Sequence, residues 1–291
     1  MTLHDIIGLL LQGSLMLIVV AVGLQSKWSD VTYARQRPDL LWRGFTAVNV
    51  VVPLTATILC LVMPIAWLTK VAIMLMAVSP LAPFAPGKML KAGADTAFVN
   101  GLYVVLILAA VIIVPVTILL LNTISPQPIQ IPEGKLILFI LMSVVLPLAT
   151  GLAIATFWPH FAMRVAKITR WVAFAIIIPL GLLFLIKSFG ALISLIGDGS
   201  FVTITAVVGS GILAGHWLGG RSMEHRAAMA QAAATRHPGI AAIIARRNFD
   251  DPQVIMAIVL FLIISVILCT IYARWESKVA EQGETTHARQ P

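Results

Sequence analysis

Ser79-Pro80-Leu81-Ala82-Pro83-Phe84-Ala85-Pro86-Gly87 interrupts one long apolar run, and Thr235-Arg236-His237-Pro238-Gly239 interrupts another. Each proline removes a backbone donor and crowds the preceding turn, so no continuous helix survives three of them within seven residues. The breaks are expected at 79–88, carried by Pro80, Pro83, Pro86 and Gly87, and at 235–239, carried by Pro238 and Gly239. In lipid a broken helix leaves backbone groups unpaired, which only surrounding protein or a water-filled cavity can satisfy. Two such segments at corresponding places in two halves of a chain point to the central binding site of a transporter.

The rest of the chain supplies the membrane setting. Of 291 residues 59% are hydrophobic and 11% charged, against about 25% charged in soluble domains. Crossing a hydrocarbon core of ~30 Å takes about 20 apolar residues. Apolar runs fall near 4–25, 39–62, 66–93, 96–122, 134–157, 161–187, 201–220, 223–247 and 252–274. They are apolar throughout rather than alternating, so they are helices and not barrel strands. The expected fold is an all-α integral membrane protein of about nine transmembrane helices. Residues 1–25 have no basic stretch ahead of the apolar core and no clear cleavage site, so they are taken as the first span. The segment 123–133 is expected to be an external linker and 276–291 a disordered tail.

Charge sets the orientation. With the N-terminus outside, the inner face receives Lys27, Arg35, Arg37, Arg43, Lys88, Lys91, Arg164, Lys167, Arg170, Arg221, Arg226, Arg274, Lys278 and Arg289. The outer face receives Lys70, Lys135, Lys187, Arg246 and Arg247. Fourteen against five favours N-out and C-in, in the inner (plasma) membrane of a bacterium. The net charge of +8 is spread between apolar runs, which reads as orientation charge and not as a nucleic-acid surface. Cys60 and Cys269 lie in apolar runs without metal-ligand or disulfide spacing, as buried thiols.

Chemistry concentrates at the breaks. Arg236 stands at membrane depth, where an ionisable group is costly and usually functional; it is either a substrate ligand or a fixed internal cation. Lys88 and Lys91 follow the first break, and either join an anion-attracting centre or reach the inner interface. Asn49, Asn100 and Tyr103 are polar groups in apolar helices, placed to line a cavity or to bond a neighbouring helix. The candidate substrate-binding set is Arg236, His237, Lys88, Asn49, Asn100 and Tyr103. Gly211, Gly215 and Gly219 form a small-residue stripe for close helix packing, with His216 interfacial beside it. No nucleophile–base cluster, HExxH or phosphate loop appears, so neither an enzyme nor a cofactor is expected.

The order of these features resembles the bile acid:sodium symporter family. Gly23-Leu24, Asp30 and Pro38 match its "GL…D(x7)P" segment, and Pro53 matches a proline of the next helix. Residues 80–95 resemble "CPGGTASN…AKGD", keeping Pro80, Ala92 and Asp95, and Gly239-Ile240-Ala241 fits the end of "ETGMQNSGLA". The resemblance implies two inverted repeats of four and five helices, 1–122 and 134–275. A panel domain (4–25, 134–187) would move against a core domain (39–122, 201–274) in alternating access.

By the same register, the family's sodium ligands fall here on Val48, Ala85, Pro86, Val99, Tyr103, Ala232 and Arg236. The oxygens are nearly gone and a guanidinium has arrived. The expected function is therefore transport or facilitated passage of a small organic anion without sodium. The alternatives are a sodium- or proton-coupled symporter, the latter through His237 or Asp95, and a non-transporting sensor or scaffold.

Overall fold

The computed structural model describes residues 3–122, 133–195 and 197–287, and they are helical, with no named strand among them. Helix α1 (Leu3–Gln25) is followed by the short α2 (Trp28–Gln36). Helix α3 (Pro38–Thr46) runs through a π turn (Ala47–Val51) into α4 (Val52–Val62). Then come α5 (Trp67–Val78), α6 (Ala85–Lys91) and α7 (Thr96–Asn122). In the second half, α8 (Glu133–Ile140) passes through a π turn (Leu141–Val145) into α9 (Leu146–Phe157). It is followed by α10 (Pro159–Lys187), α11 (Phe189–Ser194) and α12 (Ser200–Leu218), then α13 (Met223–Ala234), α14 (Pro238–Asn248) and α15 (Gln253–His287).

Proline explains both π turns. Pro53 and Pro147 each stand two residues past one, where a missing N–H and a bulky ring are accommodated by widening the helix for one turn. Proline also starts helices, since an N–H in the first turn has no intrahelical partner to lose. Pro38, Pro86, Pro159 and Pro238 all sit there.

Seven helical stretches are long and apolar enough to cross a membrane: Ile6–Gln25, Pro38–Val62, Thr96–Leu120, Gly134–Phe157, Pro159–Ile186, Ser200–Leu218 and Gln253–Val279. The two interrupted segments consist of pieces of 12 and 7 residues and of 12 and 11. At 1.5 Å per residue no piece exceeds ~18 Å, so none spans alone.

Three boundaries differ from expectation. The first break is 79–84, because α6 starts at Ala85 and takes Pro86 and Gly87 into its first turn. The second is 235–237, because Pro238 and Gly239 open α14. Residues 276–287 are helical, continuing α15, rather than a tail. The expected linker lies outside the described residues apart from Glu133, the first residue of α8, and so do residues 288–291.

Two sets of helices pack most closely, and one apolar cluster that includes Val19, Val22 and Leu148 runs between them. Helix α1 lies along α9 and α10, where Gly23 and Gly151 face each other; a Cβ on Gly23 would overlap Leu148 O, and one on Gly151 would overlap Val20 O. Leu24, Ala162 and Ala166 form a separate small apolar cluster in this group. The larger group joins α3–α7 to α12–α15, with α12 against α13 and α15 against α5. Gly211, Gly215 and Gly219 carry the α12–α13 contact: added Cβ atoms would meet Ala233, Met229–Ala230 and Arg226 backbone in turn.

Candidate functional site: the crossing of two broken helices

The two breaks meet. Leu81 and Arg236 form an isolated antiparallel bridge, and His237 N–H donates to Pro80 O at 2.9 Å. Each break thus satisfies part of the other's freed backbone, as lipid demands. Thr235 Oγ1 bonds back to Gln231 O at 2.6 Å, and Ser265 Oγ of α15 donates to Ala234 O, tying off the end of α13.

Arg236 enters the middle of this crossing and is 1% exposed. Its Nη2 donates to Val48 O at 2.5 Å and its Nη1 to Ser79 O at 3.4 Å, while Nε has no partner. Both acceptors are carbonyls that the helices leave free. Ser79 ends α5. Val48 lies in the π turn, and the residue five positions on, in π spacing, is Pro53, which has no N–H to give. Among the described residues the ion pair found is Arg37–Asp39; the Arg236 cation is held by backbone dipoles.

Several candidate side chains have polar atoms left unsatisfied. Asn49 Nδ2, Lys88 Nζ, Tyr103 Oη and Gln231 Oε1 are buried without a hydrogen-bond partner. Lys88, on α6, which packs against α13, has its Nζ 5.4 Å from the Phe84 ring centroid. Helix α6, which carries Lys88, therefore lies beside α13 and the crossing that follows it. Cys269 Sγ lies 3.8 Å from Thr235 Oγ1, and its carbonyl accepts from Gln231 Nε2 at 2.9 Å. Buried unpartnered polar groups are uncommon, and each calls for an explanation such as a missing ligand.

Other candidate residues have different tasks. His237 caps α14, its Nδ1 accepting from Ile240 N–H at 3.3 Å. Asn100 does not face the crossing: its Nδ2 donates to Asp30 Oδ2 at 2.9 Å and Gln25 O at 3.4 Å, bonding a neighbouring helix end. Asp95 accepts from Phe98 N–H at 3.1 Å at the start of α7. Cys60 and Cys269 are buried free thiols.

One further constellation leaves only a faint trace in the sequence. His216 Nδ1 lies 2.7 Å from Tyr272 Oη, which reaches Glu276 Oε1 at 3.4 Å, with the Trp275 ring tilted against both. Only the Tyr272–Glu276 spacing of four residues hints at it, because His216 comes from α12, far away in sequence.

Residues 13–195 match the profile of the Sodium Bile acid symporter family. The chain belongs to this family. It is accordingly an integral membrane protein of a transporter family, not a family of enzymes. No curated protein matches the chain at a significant level. The matched residues include the first crossing segment and stop before the second, so the guanidinium at the crossing comes from the part of this symporter-family chain that the profile does not reach.

Proposed function

We propose that the protein is a secondary transporter or facilitator of small organic anions, working by alternating access without sodium, with Arg236 as a built-in cation. The observation that carries this reading is the Arg236 guanidinium, enclosed at the crossing and bonded to the Val48 and Ser79 carbonyls. Val48 is one of the positions where the resemblance places a sodium ligand. A fixed guanidinium and a sodium ion would repel strongly at such a distance in a poorly screened interior, so one excludes the other. Because both terminal nitrogens are occupied by carbonyls, Arg236 serves as the fixed charge, and the substrate's acidic group goes to the unpartnered Lys88 ammonium.

The close packing of α1 along α9 and α10 supports a panel moving against a core. Two broken segments added to seven spans support nine crossings in inverted repeats of four and five, and the Lys and Arg distribution supports an N-terminus outside. His237 and Asp95 are engaged in helix capping, which weighs against proton coupling through either.

The test is thermal unfolding of the purified protein against a panel of mono- and dicarboxylates, aryl carboxylates and sulfonates, in sodium and in choline salts. A ligand well above its dissociation constant stabilises by about 2–4 kcal/mol, and the expected stabilisation is equal in the two salts. Stabilisation confined to sodium would identify an ordinary sodium symporter. Lys88→Met gives the sharper result. Removing an ammonium that no protein group satisfies should raise the stability of the ligand-free protein by about 1–2 kcal/mol, while ligand stabilisation disappears. A variant that loses stability and still responds to the anion would move the substrate site elsewhere.

A second reading, a sensor or scaffold that kept the fold, is favoured by the enclosure of Arg236, which leaves the guanidinium out of reach of a solute. No response to any anion, together with no uptake by proteoliposomes, would decide for it.

A further inference from the structure

Outside the crossing, the first turns of α10 carry an arrangement that anion transport at the crossing leaves unexplained. Met163, Ala166, Lys167, Arg170, Trp171 and Phe174 recur at intervals of three, one, three, one and three residues, which places them on one helical face. With Gln25, the last residue of α1, they line a groove of about 540 Å³. Arg170 is held at its end, Nη2 donating to Gln25 Oε1 at 2.6 Å. Gln25 is itself fixed by Nε2 donating to Ala21 O at 2.7 Å. Among the described residues no carboxylate pairs with Lys167 or Arg170, so the polar end of the groove carries two uncompensated positive charges.

The other end is apolar and leads into the membrane. Past Trp171 and Phe174 the same face continues through Ile178, 62% exposed, and Leu182, 55% exposed. Only 6% of the most apolar window of α10 is buried within the protein, against 28–50% for the other six candidate spans. The groove therefore continues onto a helix face that the described protein leaves uncovered, which in a membrane-spanning helix faces lipid.

We propose that this groove is a binding site for an anionic phospholipid, its phosphate held by Lys167 and Arg170 and its acyl chains lying along Trp171, Phe174 and the apolar face beyond. Charge complementarity selects the acidic headgroup, and the uncovered apolar face selects a membrane component over a soluble anion. The volume falls within the range of small-molecule sites, about 300–1,000 Å³, and suits a headgroup with the start of its chains outside it. Basic pockets between transmembrane helices on the cytoplasmic side bind acidic lipid headgroups for the same reason, and the charge-based orientation puts Lys167 and Arg170 on that side. The inference is independent of what crosses at Arg236.

Native mass spectrometry of the full chain released from nanodiscs tests it, with phosphatidylglycerol and phosphatidylcholine of identical acyl chains. The wild type should retain phosphatidylglycerol preferentially. Each cation contributes roughly a fivefold factor near a membrane surface, so Lys167→Gln/Arg170→Gln should lower retention by about 25-fold. Arg246→Gln/Arg247→Gln, which removes two exposed cations elsewhere, should leave retention unchanged. Should the double variant fail to fold, Lys167→Gln alone, at an exposed side chain, should still cost about fivefold. Three results would overturn the proposal: equal retention of the two lipids, equal losses from the two double variants, or displacement of the lipid by glycerol 3-phosphate at matching concentration. The last would assign the groove to a free anion.

Discussion

Arg236→Ala should lower the unfolding free energy by about 2–4 kcal/mol, and the variant, unlike the wild type, should regain part of that loss in sodium over choline salts. The side chain is the largest fully buried one among the described residues, and its loss leaves the Val48 and Ser79 carbonyls without their donor. An orphaned buried acceptor costs about 1–3 kcal/mol, and the emptied volume adds a packing loss. Relief from burying a charge offsets part of this, which keeps the net below the sum. Two carbonyls facing a space where a cation had been are then the beginnings of a cation site. That is why the sodium response should appear only in the variant. Arg236→Lys separates charge from geometry: an ammonium keeps the positive charge but cannot fork to two carbonyls on different helices, so its stability should fall between the two. Thermal unfolding in matched sodium and choline buffers reads all three proteins. A wild type already stabilised by sodium, or an alanine variant as stable as the parent, would remove the built-in cation from the account.

How far the sequence exposes this arrangement differs from residue to residue. Pro80 and Pro83 mark the first break, and Pro238 the end of the second, because a missing N–H is a local property that does not depend on the rest of the fold. The same logic blurs the edges: Pro86 and Gly87 look like part of a break, yet proline is equally at home in a first turn, which is where α6 uses it. Arg236 is conspicuous as a charge in an apolar run, but its partners are not, since backbone carbonyls carry no residue signature. Only the position of Pro53 relative to Val48 encodes the free acceptor, and reading it requires knowing that a π turn forms there. Asn100 was equally placed to line a cavity or to bond a neighbour, and Asp30, seventy positions away, decides for the neighbour. The short helix α2 has low apolar content and lies between two longer runs, so periodicity passes over it. Residues 276–287 are polar and look solvated, which is compatible with a helix extending beyond the bilayer as well as with a tail. The α10 groove was legible in principle, because both its cations and its aromatics fall on one helical face.

Gly215→Ala and Gly209→Ala, two identical changes six residues apart on α12, should have opposite signs. Alanine is favoured over glycine inside a helix by about 1 kcal/mol, and a Cβ on Gly209 meets nothing within 4 Å. That variant should be as stable as the wild type or slightly more so. On Gly215 the added carbon would overlap the Met229 carbonyl and the Ala230 nitrogen, backbone atoms of α13 that cannot rotate away. The overlap can be relieved only by parting α12 from α13, and overpacking of this kind costs about 1–3 kcal/mol, here at a contact made through backbone rather than side-chain ends. The damage extends beyond stability. Helix α13 ends at Ala234, and the next two residues are Thr235 and Arg236, so displacing it moves the guanidinium relative to Val48 and Ser79 on other helices. Gly215→Ala should therefore weaken both the fold and any stabilisation by anions, while Gly209→Ala preserves both. Measuring the two variants side by side, by unfolding temperature and by ligand response, separates a close packing seam that positions the crossing from a stripe of small residues with no such task. Equal behaviour of the two would mean that α12 and α13 do not meet at Gly215.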